Sequence, residues 1–313
     1  MEDKIYVEKF EIDVGDTGHI TNCYFVKNSA NSLCIIDPAD KANEIISKIE
    51  KENLKLKAII ITHCHSDHIC ALANLIKKYK DIKVFVSKVD IPGLNDTETN
   101  CAKAVGVEVP RIDENRIIGV KDGDILQIED MSFSVITTPG HTNGSITLYE
   151  KNLNVLFTGD TVFSNTYGRT DLKTGSHDDM RHSLDKLFAS FDDVKCFPGH
   201  GEDFILSEVK RKINLLFAYK GWSALKFGKN LKLILSLLFM IMLVLNVVMY
   251  FYIADSVNIY GKSINVIYVQ LAFLLLELFM LSGIYGKKQG LTICLIYVLL
   301  VAGNLWFILA NLV

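Results

Sequence analysis

The sequence predicts an α/β protein that continues into an all-α, membrane-spanning region, and three observations carry that expectation. Strand patterns followed by a helix pattern occur twice between residues 5 and 220, which argues for two similar halves, each a sheet covered by helices. Histidine and carboxylate side chains gather in turns just past the strand patterns, where an open α/β sheet usually places its chemistry. From Leu231 onward, three long apolar segments follow one another.

The elements follow in order. Residues 5–10 and 20–26 read as two strands, with Asp16-Thr17-Gly18 as turn chemistry between them. Ser32-Leu33-Cys34-Ile35-Ile36 reads as a third strand, closed by Asp37-Pro38. Residues 41–53 place Ile45, Ile46 and Ile49 on one face of an exposed amphipathic helix. Leu56-Lys57-Ala58-Ile59-Ile60-Ile61 is an apolar, β-branched run that predicts a buried strand. Residues 69–76 predict a helix ending near Lys80, and residues 83–86 another strand. Between residues 90 and 113 only short helical turns are expected. Strands return near Ile117 and at 124–128, 133–137, 145–150 and 154–158. A helix at 178–190, a strand at 194–197 and a helix from Phe204 to about Lys220 close the second half.

Composition narrows the function. A net charge of −3 leaves no electrostatic footprint for nucleic acid. Hydrophobic content is 50% and mean hydropathy is positive, with the excess concentrated after Leu231. The seven cysteines (Cys23, Cys34, Cys64, Cys70, Cys101, Cys196, Cys294) are odd in number, irregularly spaced and lack a CxxC pair. That is no disulfide framework and fits a reducing compartment. The charged start Met1-Glu2-Asp3-Lys4-Ile5 has no apolar run behind it, so no cleaved signal peptide is expected.

The chemistry centres on Thr62-His63-Cys64-His65-Ser66-Asp67-His68, where three of the eight histidines fall within six residues. In an extended turn, residues two apart point the same way, so His63 and His65 can grip one ion together. Asp67 and His68 begin the following helix and face elsewhere, where a carboxylate also suits the positive helix end. Three further clusters follow strand patterns: Thr138-Pro139-Gly140-His141-Thr142, Gly159-Asp160-Thr161 and Pro198-Gly199-His200-Gly201.

The set His63-x-His65-x-Asp67-His68, then His141, Asp160 and His200, with Asp37 ahead of it, resembles the metallo-β-lactamase superfamily. The resemblance spans residues 2–208, and the pattern is most similar to glyoxalase II-like thioester hydrolases, including Gly168-Arg169-Thr170-Asp171-Leu172. It implies an αββα sandwich for residues 1–220. It also implies a first metal ion on His63, His65 and His141, a second on Asp67, His68 and His200, and Asp160 bridging both. Histidine nitrogens and carboxylate oxygens without thiolate suit zinc, iron or manganese, zinc foremost. Two ions about 4 Å apart share a water and lower its pKa towards neutrality. The implied reaction is attack of metal-bound hydroxide on a thioester or other ester, with Asp67 orienting the nucleophile and no covalent enzyme intermediate. β-Lactamases of this fold commonly carry cysteine where Asp160 stands, which argues against that activity.

Other residues are weighed beside this set. Cys64 is expected to pack rather than ligate, and His19 to lie in a loop near the mouth. His177 and His182 are expected to be solvated. Tyr167 and Arg169 are candidate substrate contacts, with pairing of Arg169 to Asp171, or bracing of the metal loop, as the other reading. Alternatives to the hydrolase are a single-iron persulfide dioxygenase, a lipid or nucleotide phosphodiesterase, and a non-catalytic metal-dependent membrane sensor or scaffold.

Glyoxalase II enzymes bind glutathione partly with a soluble C-terminal helical domain. Here a basic linker at 221–230 leads instead to apolar segments at about 231–253, 264–285 and 291–313. Each has 22 or 23 residues, close to the roughly 20 needed to span a bilayer. Lys210, Arg211, Lys212, Lys220, Lys226 and Lys229 precede the first segment, and Lys287 and Lys288 lie between the second and third. The positive-inside rule then gives a multi-pass protein of the cell membrane with a cytoplasmic catalytic domain and its C-terminus outside. Glu277, near the middle of the second span, is a costly intramembrane group, with Asn246, Gln270 and Asn304 as candidate partners. The expected partners are a small-molecule ester or thioester, the lipid bilayer, and a second copy or membrane partner through the spans, with no nucleic acid.

Overall fold

Twelve strands build two six-stranded sheets, and alternate residues along the inner strands serve two different cores. The computed structural model describes residues 5–224. The first sheet runs, in order, β1 (Tyr6–Asp13), β2 (Ile20–Lys27), β3 (Ser32–Ile36), β4 (Lys55–Ile61), β5 (Lys83–Ser87) and β6 (Ile117–Val120). The second runs β7 (Ile125–Ile128), β8 (Met131–Thr137), β9 (Ile146–Glu150), β10 (Val155–Gly159), β11 (Lys195–Pro198) and β12 (Phe204–Ile205). Strands β3 to β6 pair in parallel, as do β10 and β11; the remaining pairs are antiparallel.

The period of two along a strand assigns each side chain to a layer. Cys34, Ile36, Ala58 and Ile60 meet Phe133, Leu148 and Phe157 between the sheets. Leu33, Ile35, Ile59 and Ile61 pack instead with Ile45 and Ile49 of α1 (Ala42–Lys51) and with Leu72 and Leu75. On the outer face of the second sheet, Leu156 and Cys196 meet Met180, Leu184 and Leu187 of α5 (His177–Ser190), and Leu206 and Val209 of α6 (Leu206–Ala224). The layers are therefore helix, sheet, sheet, helix. Covering both faces explains why β4 reads as an unbroken apolar run. At about 1.5–3 kcal/mol per buried side chain, Ile59, Ile60 and Ile61 fix the strand whose end carries the histidine-rich turn.

Two local expectations need correction. The single helix after that turn is two, α2 (Ser66–Ile69) and α3 (Leu72–Lys78), because the Ala71 amide donates to Ala39 O rather than to the preceding turn. Phe204 and Ile205 pair with β11 as a short strand, so α6 begins at Leu206. Between residues 90 and 113 the expected short helical turns are a 3-10 turn at Ile91–Gly93 and α4 (Ala102–Val105). Among the described residues no helix is long and apolar enough to cross a membrane. The basic linker, apart from its first residues, the three expected spans and Glu277 lie outside the described residues.

Candidate metal centre

Four strand ends deliver the ligand-capable side chains to one place. The turn after β4 brings His63, His65, Asp67 and His68; the turn after β8 brings His141; β10 ends before Asp160 and β11 before His200. All are buried except His200, which is partly exposed. His65 Nδ1 lies 2.8 Å from His141 Nε2, and His141 Nε2 lies 3.3 Å from Asp160 Oδ2. His68 Nε2 is 3.5 Å from both Asp67 Oδ2 and Asp160 Oδ1. His200 Nε2 is 3.2 Å from Asp67 Oδ2 and 3.3 Å from Asp160 Oδ2. Asp160 thus stands between the His141 side and the His200 side of the cluster.

Hydrogen bonds from behind set which ring nitrogen faces inward. Asp37 Oδ2 accepts from Thr62 Oγ1 at 2.6 Å and from His68 Nδ1 at 2.9 Å, while its Oδ1 accepts from the Thr62 amide at 2.7 Å. With the Thr62 hydroxyl proton committed to Asp37, His63 Nδ1–H donates to Thr62 Oγ1 at 3.0 Å. His141 Nδ1 donates to Arg169 O at 2.8 Å and His200 Nδ1 to Ile20 O at 2.6 Å. Each of these four imidazoles therefore turns Nε2 into the site, the arrangement by which proteins orient metal-binding histidines. Asp90 ties two loops together: its Oδ2 accepts from the Cys64 amide at 2.9 Å and from Thr142 Oγ1 at 2.8 Å.

The electrostatics are those of a site built for cations. Burial lowers the pKa of His63, and it pushes His65 down to about 3, so both imidazoles are neutral. Burial also disfavours charge on His68, but Asp67, Asp37 and Asp160 outweigh it and raise its pKa to about 9. His200, opposed by burial but facing Asp160 and Asp67, is raised to about 11. Burial would raise the carboxyls of Asp67 and Asp160, yet the His68 and His200 charges hold both well below the usual carboxylate range. Two carboxylates are thus compensated by protons on two imidazoles. Divalent cations would take over that compensation.

The residues fit metal ions on a second ground. His63 Nε2, His68 Nε2 and Asp160 Oδ1 are buried without a hydrogen-bond partner among the described residues. Native proteins rarely leave such atoms unmet. Three groupings place their donor atoms within 4.8 Å of one another: His63, His65 and His141; His63, His68 and Asp160; and His19, Asp67 and His200. A tetrahedral ion with bonds of about 2.0–2.1 Å sets neighbouring ligand atoms about 3.3 Å apart. The contacts at 3.2–3.5 Å match that spacing.

The profile of the metallo-beta-lactamase superfamily matches residues 16–200 of this chain. The chain belongs to that superfamily. It is 31% identical over 194 residues to the hydroxyacylglutathione hydrolase GloC of Haemophilus influenzae, across 61% of this chain and 90% of that one. It is 32% identical over 190 residues to the probable metallo-hydrolase YqgX of Bacillus subtilis, across 60% of this chain and 88% of that one. Among solved structures, the BLEG-1 B3 metallo-beta-lactamase superposes with a TM-score of 0.58 at 27% identity, covering 65% of this chain and 95% of that one. TTHA1623 in a di-iron-bound form superposes with a TM-score of 0.57 at 26% identity, covering 66% of this chain and 99% of that one. Fold, cluster and hydrolase relatives together make this chain a metallo-β-lactamase-fold metallohydrolase with a divalent-metal site.

The remaining residues divide. Cys64 packs in the core beside Gly93, and burial raises its thiol pKa, so it is not presented as a ligand. Tyr167, read as a substrate contact, is only 5% exposed and packs in the outer core with Val162 and Met180. Its backbone bridge to Val162 places it there. Arg169 is exposed and gripped by Asp171 through two contacts of 2.8 and 2.9 Å, while its carbonyl orients His141, so it braces the site through its backbone. His19, Thr21, Asn22, Thr62 and Asp90 carry site contacts that the sequence reading did not assign. Apart from the Thr62–His63 contact, each is made to a residue far away in the chain, where no local pattern announces it.

Proposed function

We propose that this chain is a binuclear metal-dependent hydrolase of thioesters or other esters. In this reading His63, His65 and His141 hold one ion, Asp67, His68 and His200 the other, and Asp160 both. The observation that carries it is the convergence of His63 Nε2, His68 Nε2 and Asp160 Oδ1, three buried atoms with no hydrogen-bond partner among the described residues. Zinc is the favoured ion, with iron and manganese also suited to the donor set. Such a pair supplies Lewis-acid activation of a carbonyl and of water at neutral pH.

The chain's own residues do the rest. Asp37 and Thr62 hold His63 and His68 in the tautomers that ligation needs. Asp67, tethered by Thr21 Oγ1 at 3.1 Å, orients the nucleophilic water. Asn22 Nδ2 and Tyr24 Oη donate to Pro198 O at 2.9 and 2.6 Å and fix the turn that presents His200. The thioester preference leans on the named activity of the Haemophilus influenzae relative. Attachment to the cell membrane, with the metal centre facing the cytoplasm, leans on the three apolar segments and their flanking lysines.

The test is turnover of an acyl-glutathione thioester, a lactone and a phosphodiester by the full-length chain. Thioester hydrolysis that disappears on chelation and returns with zinc supports the reading. Turnover of the phosphodiester alone would replace it.

A further inference from the structure

The β1–β2 hairpin brings one more imidazole to the cluster. His19 Nε2 lies 3.1 Å from Asp67 Oδ2, beside His200 Nε2 at 3.2 Å from the same oxygen, with the two rings 4.9 Å apart. We propose that His19 is a further ligand, from the mouth side, of the metal ion held by Asp67 and His200; this rests on the binuclear reading above.

Three observations carry it. Both contacts to Asp67 have the spacing of adjacent ligands around one ion, and the three donor atoms lie within 4.8 Å of one another. The backbone at His19 is held: the Val14 amide donates to His19 O at 3.0 Å, and the Gly18 amide to Asp13 Oδ1 at 2.8 Å, with Gly18 at φ +78°. The next carbonyl, Ile20 O, accepts from His200 Nδ1, so one hairpin positions both rings. Finally, Asp67 does not depend on His19 for orientation, because Thr21 Oγ1 already donates to the same oxygen. The His19 side chain is 51% exposed, so this ligand approaches from the open side of the cluster.

The experiment is zinc titration of the metal-stripped full-length chain against a chromophoric chelator. His19→Ala is expected to weaken the second ion at least about 10-fold while the first keeps its affinity. His19→Gln keeps a donor for Asp67 but offers a poor zinc ligand, and the same loss is expected. Thr21→Val removes the other donor to Asp67 and is expected to shift the second ion much less. Retained second-ion affinity in His19→Gln would overturn the proposal, as would a Thr21→Val loss equal to that of His19→Ala. First-ion affinity in the same titration reports that each variant is folded. A wild-type chain that takes up only one ion would instead remove the binuclear reading on which the proposal stands.

Discussion

Asp37 and His68 are 31 residues apart in sequence, both buried, and joined by a hydrogen bond of 2.9 Å between Asp37 Oδ2 and His68 Nδ1. The same carboxylate takes both protons offered by Thr62, which in turn orients His63. One side chain at the end of β3 therefore sets two inward-facing nitrogens, one for each proposed ion.

Replacing Asp37 separates its two roles. Asp37→Ala removes the buried acceptor of the Thr62 amide, the Thr62 hydroxyl and His68, and about 3–5 kcal/mol of stability should be lost in urea unfolding. Asp37→Asn keeps the volume and one acceptor but drops the charge, and should weaken zinc binding about 10–100-fold with a smaller stability loss. Wild-type zinc affinity in Asp37→Asn would deny Asp37 any part in setting the ligands.

Much of this was legible in the sequence because it is local. Three histidines in six residues at a strand end, and Asp160 and His200 each past a short apolar run, announce themselves through spacing. The succession of strands along the chain follows from apolar, β-branched runs and from turns such as Asp16-Thr17-Gly18. The break between α2 and α3 was not legible, because it arises from a hydrogen bond between Ala71 and the distant Ala39. Tyr167 looked available for substrate, and its burial beside Val162 and Met180 shows that it turns into the core. His19 was expected near the mouth, but its contact with Asp67 was not legible, since the hairpin brings together residues 48 apart in sequence.

Asp160→Ala should abolish hydrolysis and lower the bound metal below two ions per chain. The carboxylate contacts His68, His141 and His200, and removing it strips the repulsive imidazole cluster of its central counter-charge. Circular dichroism should still report a folded domain, since the three apolar cores do not include Asp160. Full activity in this variant would contradict the site assignment.

Gly199→Ala should disable the centre through bulk alone. A β-carbon at Gly199 would collide with Asp160 Oδ1 and come within 2.7 Å of His68 Cε1. Loss of metal retention is expected with no charge altered, measured as ions per chain after gel filtration. Unchanged retention would mean that the turn yields more readily than its hydrogen bonds to Asn22 suggest.

The metal-free protein should lose stability as pH rises from 6.5 to 9. Folded His68 and His200 have pKa values raised to about 9 and about 11, so their stabilisation is complete below the unfolded value near 6.5 and fades as they deprotonate. Asp67 and Asp160, held low, act in the opposite sense and withdraw stability as pH falls below the usual carboxylate range. Zinc competes with the histidine protons, so the rise in Tm caused by zinc should grow over the same interval. Thermal melts with and without zinc at pH 6, 7.5 and 9 check both slopes, and a zinc effect independent of pH would contradict ligation by His68 and His200.

The most direct measurement is the metal content of the full-length chain purified with neither added metal nor chelator. About two zinc, iron or manganese ions per chain is the expected result. A chain that carries none and also refuses added zinc would contradict the metal centre, and a single tightly held iron would contradict the binuclear hydrolase.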